Sequence, residues 1–224
     1  MASAPPAHAQ ITTRLLRAGR IGTVTHVSCV DRRARGMESL GAGEIDYVQL
    51  LAYGADHLTW IRGLLEVEPV RVMARCGRVP WQLERHGSLT EAFLEMASGV
   101  HVQYHGSLAS NRDNHELWID GERGVLRTDG RLVWFRKTGW PAFAPVAGTL
   151  RQWVDASSPA ARAAARRERL EAVERGEALS AVGDDDVWPL AMAEAVIRAD
   201  RSGRPVGVEP VRAAAPSAAD GSAA

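Results

Sequence analysis

The sequence predicts an α+β domain: an open, largely antiparallel β-sheet with helices packed on one face. Two helical stretches and a strand come first, a long run of strands follows, and helical segments close the chain. Tight turns join most of the strands, and the Asp-Gly pairs at 120–121 and 129–130 are strong hairpin signals. Strands in one run, with helices before and after them, are typical of α+β folds.

The elements divide the chain into one domain and two ends. Residues 10–209 are expected to form a single α+β domain, while 1–9 and 210–224 are rich in Ala, Pro and Ser and are expected to be disordered. The predicted elements are helices at 10–18, 45–62 and 187–201, strands at 22–32, 70–79 and 205–210, a hairpin at 89–108 that turns at 97–99, three strands within 115–137, and a helical surface insertion at about 156–180.

Charge and cysteine content exclude several classes of function. Lys plus Arg equal Asp plus Glu at 27 each, so no net charge favours nucleic acid or an acidic membrane. The N-terminus lacks the basic and apolar segments of a secretory signal, and no apolar run approaches the roughly 20 residues of a membrane span, so a cytoplasmic protein is expected. Cys29 and Cys76 have no metal-ligand spacing and are interpreted as buried thiols.

The segment 45–62 carries an unusual polar stripe. At about 100° per residue, Gln49, Tyr53, Asp56 and Trp60 fall on one side of an α-helix, flanked by Asp46 and His57. The opposite side, which is expected to pack on the sheet, holds Tyr47, Leu51, Gly54, Leu58 and Ile61. A solvated helix face usually carries Lys and Glu, whereas this face carries two large aromatic residues. The stripe is therefore expected to be covered.

Two interpretations of the stripe remain open. It is either a partner surface with Tyr53 and Trp60 as anchors, or the wall of a pocket. In a pocket, Tyr53 and His57 would exchange protons and Asp56 would orient them. Gln49, Trp60 and Asp46 would then contact the substrate.

Four segments resemble, in order, the C-terminal domain of the Gfo/Idh/MocA oxidoreductases. They are LLRAGRIGTVTHVSC at 15–29, YGADHLTWIRGLLEVEPVRVMAR at 53–75, ELWIDGERGVLRTDGRLVWF at 116–135 and DDVWPLAMAEAVIRADRSGRPVGV at 185–208. The resemblance implies a substrate-binding domain that often forms a homodimer through its open sheet. In that family an N-terminal Rossmann domain binds NAD or NADP.

The sequence departs from the family pattern in two respects. No Gly-x-Gly-x-x-Gly follows a strand, and the family's Glu-Lys-Pro segment is absent, so this chain alone is not expected to bind a dinucleotide. Members also commonly carry His-x-x-Asp seven residues before a glycine. Counting back from Gly63 aligns Asp56 with that Asp and Tyr53 with that His, while His57 lies one turn further along.

A second polar cluster lies in the predicted hairpin at 89–108. One face carries the apolar set Ala92, Leu94, Met96, Val100, Val102 and Tyr104, which is expected to be core. The other face places His101 and His105 opposite Glu91 and Glu95. His101, His105 and Glu95 are weak candidates for metal ligands, and an exposed or dimer-forming sheet face is the simpler interpretation. His26 and His115 are interpreted as isolated strand histidines.

Three functional hypotheses remain. The chain is the substrate-binding half of an NAD(P)-dependent oxidoreductase that acts on a polyhydroxy or carbonyl compound and needs a separate Rossmann subunit. Alternatively, it is a stand-alone isomerase, dehydratase or cyclase that needs no cofactor and uses Tyr53, Asp56 and His57. The third hypothesis is a non-catalytic dimerisation scaffold. The first hypothesis is preferred because it keeps the substrate-binding role that the resemblance to the Gfo/Idh/MocA C-terminal domain implies.

Overall fold

A computed structural model of the chain describes residues 7–34, 45–81, 87–146 and 187–209. The predicted helix at 156–180 lies outside these residues. The described elements are, in chain order, α1 (Ala7–Arg17), β1 (Val24–Ala34), a π-helical segment (Leu50–Gly54), α2 (Ala55–Leu65), β2 (Pro69–Gly77), β3 (Leu89–Met96), β4 (His101–Ser110), β5 (Asn114–Gly121), β6 (Gly124–Thr128), β7 (Val133–Lys137), β8 (Ala144–Pro145), α3 (Val187–Ser202) and β9 (Val206–Gly207).

The strands form one nine-stranded sheet with the order β8-β7-β6-β5-β1-β4-β3-β2-β9. The pair β1–β4 is parallel, and the other neighbouring strands are antiparallel. The expectation of an open, largely antiparallel sheet is therefore confirmed. The parallel pair arises because β4 returns beside β1 only after the long connection through α2, β2 and β3.

The hairpin β3–β4 follows the register that the sequence predicts. The Met96 N–H donates to the Val100 carbonyl oxygen across the turn, and Glu95 lies opposite His101. All six residues of the predicted apolar face are buried. They pack with apolar residues of α2 and α3, so the core lies between the sheet and the helices. The residues that alternate with this apolar set along β3 and β4 lie on the other face of the sheet, and most of them are polar.

Helix α1 begins earlier than predicted. It includes residues 7–9, which were assigned to the terminus, and it brings His8 against the ring of Trp60 in α2. Among the described residues, no helix has both the length and the apolar character that a bilayer span requires.

The predicted helix at 45–62 is not a uniform α-helix. Residues Leu50–Gly54 are π-helical, and the Ala55 N–H donates to the Leu50 carbonyl oxygen five residues earlier. A π-helical turn contains an extra residue. Residues before it are therefore rotated, relative to Ala55–Leu65, by about the 100° that one α-helical residue spans. This rotation decides which of the predicted polar residues share a face.

Candidate functional site

A polar cavity of about 660 Å³ lies on the helix side of the sheet, between α1, α2 and the ends of β1 and β5. A volume of several hundred cubic ångströms is typical of small-molecule sites. The lining residues are His8, Arg33, Asp56, His57, Trp60, Asp113, Asn114, His115, Asp129, Gly130 and Arg131. Carboxylates, guanidinium groups, imidazoles and an amide therefore surround the cavity, with the indole of Trp60 at one side.

Asp31 is the buried charge beneath this cavity. Strand β1 points Val27, Cys29 and Asp31 toward the helices, and all three side chains are buried. Arg33, two residues further on the same face, contacts both carboxylate oxygens: Nε lies 3.0 Å from Oδ2 and Nη2 lies 2.7 Å from Oδ1. The contact to Oδ2 is a hydrogen bond and the contact to Oδ1 is an ion pair, and together they hold the carboxylate in a fixed position.

The environment of Asp31 keeps it ionised. Burial alone would raise the pKa of its carboxyl group, but the contact from His115 and the positive charges near it outweigh burial and lower the pKa to about 2. The same pairing raises the pKa of Arg33 despite its burial. Asp31 is thus an anion that can only accept hydrogen bonds.

Two imidazole rings stack above Asp31. His115 lies directly opposite Asp31 in the β1–β5 register, with Nδ1 3.4 Å from Oδ1. His57, from the first turn of α2, has Nδ1 4.0 Å from Oδ2 of Asp31. The ring centroids are 4.9 Å apart and the ring planes differ by 30°. Both rings line the cavity.

A buried hydrogen-bond chain lies behind His57. The Gln49 amide donates to the hydroxyl oxygen of Tyr104 at 2.7 Å, and this oxygen lies 3.4 Å from Nδ1 of His57. Burial raises the pKa of Tyr104 well above its ordinary value, so the phenol is neutral. Gly54 allows the close approach, because a Cβ there would lie 3.3 Å from the Tyr104 ring.

Two loops close the cavity on the side of His115. The Asp129-Gly130 turn packs against the imidazole, and Gly130 has a φ of +82°, which a residue with a side chain rarely adopts. Oδ1 of Asp129 accepts the backbone N–H groups of Arg131 and Leu132. Asp113 accepts the N–H of Ala34 at the end of β1. Backbone hydrogen bonds thus orient both carboxylates.

The structure brings together half of the residues predicted for a pocket. Asp56, His57 and Trp60, all on α2, line the cavity. Gln49 does not lie on their face: it is fully buried against Tyr104, because the π-helical turn rotates it toward the sheet. Tyr53 is also buried and packs beneath the guanidinium group of Arg33, 4.8 Å from its ring centroid. Asp46 is exposed and is not among the lining residues.

The weak metal candidates lie on the opposite face of the sheet. Glu95 pairs with Arg71, and His105 pairs with Glu91. His101 packs edge-on against Phe93, with the ring centroids 5.2 Å apart. Each of these side chains therefore has a separate partner, and the three do not share one site.

Several residues of the site were not predicted. Asp31, Arg33 and His115 form its centre, and His8, Asp113, Asn114, Asp129 and Arg131 line it. One signal for Asp31 was present in the sequence, since strand alternation places it on the same face as Val27 and Cys29. A charge on a buried strand face needs a partner. Nothing local pointed to His115, whose neighbours come from other elements.

Asp31, His57 and His115 also bring their donor atoms within 4.8 Å of one another, as metal ligands do. Two features oppose a metal ion in this arrangement. Arg33 already contacts both oxygens of the carboxylate and cancels its charge. The imidazoles are stacked, so their nitrogen lone pairs do not converge on one point. The arrangement favours a cluster held together by the Asp31–Arg33 ion pair.

Comparison with known proteins identifies the domain type. The model of the GFO/IDH/MocA C-terminal domain matches residues 10–127, which is more than half of the chain. A search of curated protein sequences found no match.

Several solved structures that share this fold are described as oxidoreductases. An oxidoreductase from Agrobacterium radiobacter in complex with NAD+, L-tartaric acid and magnesium is 18% identical, with a TM-score of 0.67, over 91% of this chain and 62% of that chain. An inositol dehydrogenase homolog from Azotobacter vinelandii, complexed with NADH and myo-inositol, is 15% identical, with a TM-score of 0.64, over 90% and 62%. An aldose-aldose oxidoreductase from Caulobacter crescentus, complexed with glycerol, is 21% identical, with a TM-score of 0.61, over 90% and 61%. The chain thus spans less than two thirds of their length.

Proposed function

The chain belongs to the GFO/IDH/MocA family, and from this premise we propose that it is the substrate-binding half of an NAD(P)-dependent oxidoreductase. Its substrate would be a polyhydroxy or carbonyl compound. A Rossmann domain on a separate subunit would hold the dinucleotide.

The composition of the cavity carries this proposal. Planar groups with paired hydrogen-bonding atoms, such as Asp56, Asn114 and Arg131, suit the closely spaced hydroxyl groups of a polyol. The indole of Trp60 offers an apolar surface to the carbon skeleton. A ligand the size of a monosaccharide fits within about 660 Å³. The relatives crystallised with myo-inositol, L-tartaric acid or glycerol support this choice of substrate class.

This chain does not fit a dinucleotide in the manner of the family. It has no Gly-x-Gly-x-x-Gly after a strand to cradle the pyrophosphate. The nicotinamide would supply the redox chemistry from its own subunit. The residues that line the cavity, Asp56 and His57 among them, would bind the polyol, orient it and hold a proton.

The open face of the sheet is the proposed homodimer surface. It carries exposed Met73 and Phe93, which lie opposite each other on β2 and β3. Charged pairs, including Arg71–Glu95, surround them. An apolar centre with a polar rim is the usual anatomy of a protein interface.

Isothermal titration of the purified chain tests the proposal, with myo-inositol, L-tartrate and NADH as separate ligands. We expect at least one of the two polyhydroxy ligands to bind and NADH not to bind. Asp56→Asn should weaken binding about tenfold, since a hydrogen bond to a charged group contributes roughly 1.5–3 kcal/mol. The melting temperature should hold, because Asp56 is exposed.

The matched control is His101→Gln, on the other face of the sheet, which should leave ligand binding unchanged. NADH binding by this chain alone would contradict the need for a separate Rossmann subunit. Absence of binding for both polyhydroxy ligands would contradict the pocket and favour the scaffold hypothesis.

A further inference from the structure

The permanent charges around the cavity are not balanced. Among the described lining residues, the carboxylates and guanidinium groups are Asp56, Asp113, Asp129, Arg33 and Arg131. Arg33 contacts both carboxylate oxygens of Asp31 beneath the cavity, so the charge of this guanidinium group is already cancelled. Three carboxylates and one guanidinium group, that of Arg131, therefore remain within the part of the lining that the structure describes.

Backbone N–H groups hold two of these carboxylates in place. Oδ1 of Asp129 accepts the N–H groups of Arg131 and Leu132, and Oδ1 of Asp113 accepts the N–H of Ala34. Within the described ranges, Oδ2 of neither carboxylate makes a hydrogen bond or an ion pair. Asp129 is also only partly exposed, so water solvates its charge incompletely. Each carboxylate thus has an oxygen that can accept a charged donor from a ligand.

Trp60 gives a second and independent indication of a cationic ligand. Its indole lines the same cavity and is held between two imidazoles, with the ring centroid of His8 at 5.4 Å and that of His115 at 6.2 Å. Indole attracts cations more strongly than the other aromatic side chains, and aromatic faces recur in sites for ammonium ligands. The face of such a ring is electron-rich, so it repels a carboxylate.

We propose that the cavity takes a polyol that carries an ammonium group and rejects one that carries a carboxylate. The polyhydroxy skeleton rests on the proposed function, whereas the charge preference follows from the lining. The ammonium group donates hydrogen bonds to Asp113 and Asp129 and is attracted by the indole of Trp60. The hydroxyl groups of the ligand bind to the other polar groups of the lining.

Three ligands with one carbon skeleton test this preference. D-glucamine, D-sorbitol and D-gluconate differ at one end of the chain, which is an ammonium, a hydroxyl or a carboxylate group. In isothermal titration of the wild-type chain at about pH 8, where free imidazole is uncharged, we expect glucamine to bind at least about tenfold more tightly than gluconate. The difference should narrow when NaCl is raised from about 0.05 M to about 1 M, because salt screens charge. Gluconate that binds as tightly as glucamine would overturn the proposal.

Replacement of the two held carboxylates by amides tests the assignment to residues. In Asp113→Asn with Asp129→Asn, each amide keeps an oxygen that can accept the backbone N–H groups, while the negative charge is lost. We expect the ratio of glucamine affinity to gluconate affinity to fall by at least about tenfold, with a smaller fall in each single variant. Asp120→Asn is the matched control, because Asp120 lies on the open face of β5 and should leave the ratio unchanged. An unchanged ratio in a double variant that melts like the wild-type chain would overturn the assignment.

Sorbitol distinguishes this proposal from the proposed function. If sorbitol binds and glucamine binds no more tightly, the ammonium preference is overturned and the polyol pocket stands. If none of the three ligands binds, the polyol pocket is overturned, and the ammonium preference with it.

Discussion

At the scale of single residues, Asp31 organises the site through one carboxylate. Its two oxygens lie against Arg33, His115 and His57, which come from two strands and a helix. A buried ion pair contributes little net stability, but removal of one partner leaves an unpaired charge and is costly. Removal of Asp31 is therefore expected both to disorder the site and to destabilise the fold.

Asp31 should make stability depend on pH in the acid range. A carboxylate whose pKa is lower in the folded than in the unfolded state stabilises the fold above its unfolded pKa, and this contribution is lost as pH falls through the folded pKa. With an unfolded value of about 3.9 and a folded value of about 2, the loss falls between roughly pH 4 and pH 2. It amounts to about 2.5 kcal/mol.

Urea denaturation at a series of pH values from 7 to 2.5 measures this loss in the wild-type chain and in Asp31→Asn. The variant should be less stable at pH 7 by about 3 kcal/mol, since Arg33 stays buried without its partner. Its stability should then fall less steeply with acid. Parallel curves for the two proteins would show that Asp31 is not the titrating group.

At the scale of elements, the contact between the π-helical segment and β4 positions the site. Gly106 of β4 faces Gln49, and a Cβ at Gly106 would overlap the Gln49 side-chain amide. That amide is buried and donates to Tyr104. The glycine thus makes room for the side chain that supports Tyr104, and His57 lies about two helical turns further along the chain.

Gly106→Ala should lower the free energy of unfolding by about 2 kcal/mol, because the methyl group displaces Gln49 and breaks its hydrogen bond. In a Gln49→Ala background the same change should cost little, since the space is then empty. Urea denaturation of the four proteins gives the coupling energy. Gly63→Ala is the control: nothing lies within 4 Å of that exposed helical position, so the helix should gain roughly 0.5–1 kcal/mol. Additive effects of Gly106→Ala and Gln49→Ala would contradict the contact.

The elements were largely predictable from sequence, whereas the site was predictable only in part. The alternation of β3 and β4 is a local signal, and their register follows from it. The pair Asp120-Gly121 predicts the next hairpin but misplaces its turn: both residues belong to β5, and Gly121 pairs with Gly124 across Glu122 and Arg123. The π-helical turn has no such signal, so an angle of 100° per residue misplaces Gln49 and Tyr53 while it places Asp56 and Trp60 correctly. His115 meets Asp31 only through the β1–β5 pairing, which joins residues far apart in the chain.

At the scale of the whole molecule, the sheet separates two surfaces of different composition. The helix side contains the core and the polar cavity. On the open side, Arg127 lies between the rings of Trp118 and Trp134, at 5.0 and 5.2 Å from their centroids, and pairs with Glu116. Met73 and Phe93, with 52% and 39% of their surface exposed, lie several strands away on the same face. A surface that spans several strands and carries both charged and apolar side chains fits a partner of the same shape better than a small ligand.

A homodimer through this face should dissociate when its apolar centre becomes charged. Met73→Asp with Phe93→Asp would place two carboxylates from each protomer in the interface, and burial of unpaired charge is costly. We expect sedimentation to show a dimer for the wild-type chain and a monomer for the double variant, with polyol binding retained because the cavity lies on the other side of the sheet. Trp140→Ser, which removes an exposed aromatic residue packed on Phe135, should leave the dimer intact. A wild-type monomer, or a double variant that remains dimeric, would show that the open face does not hold two copies together.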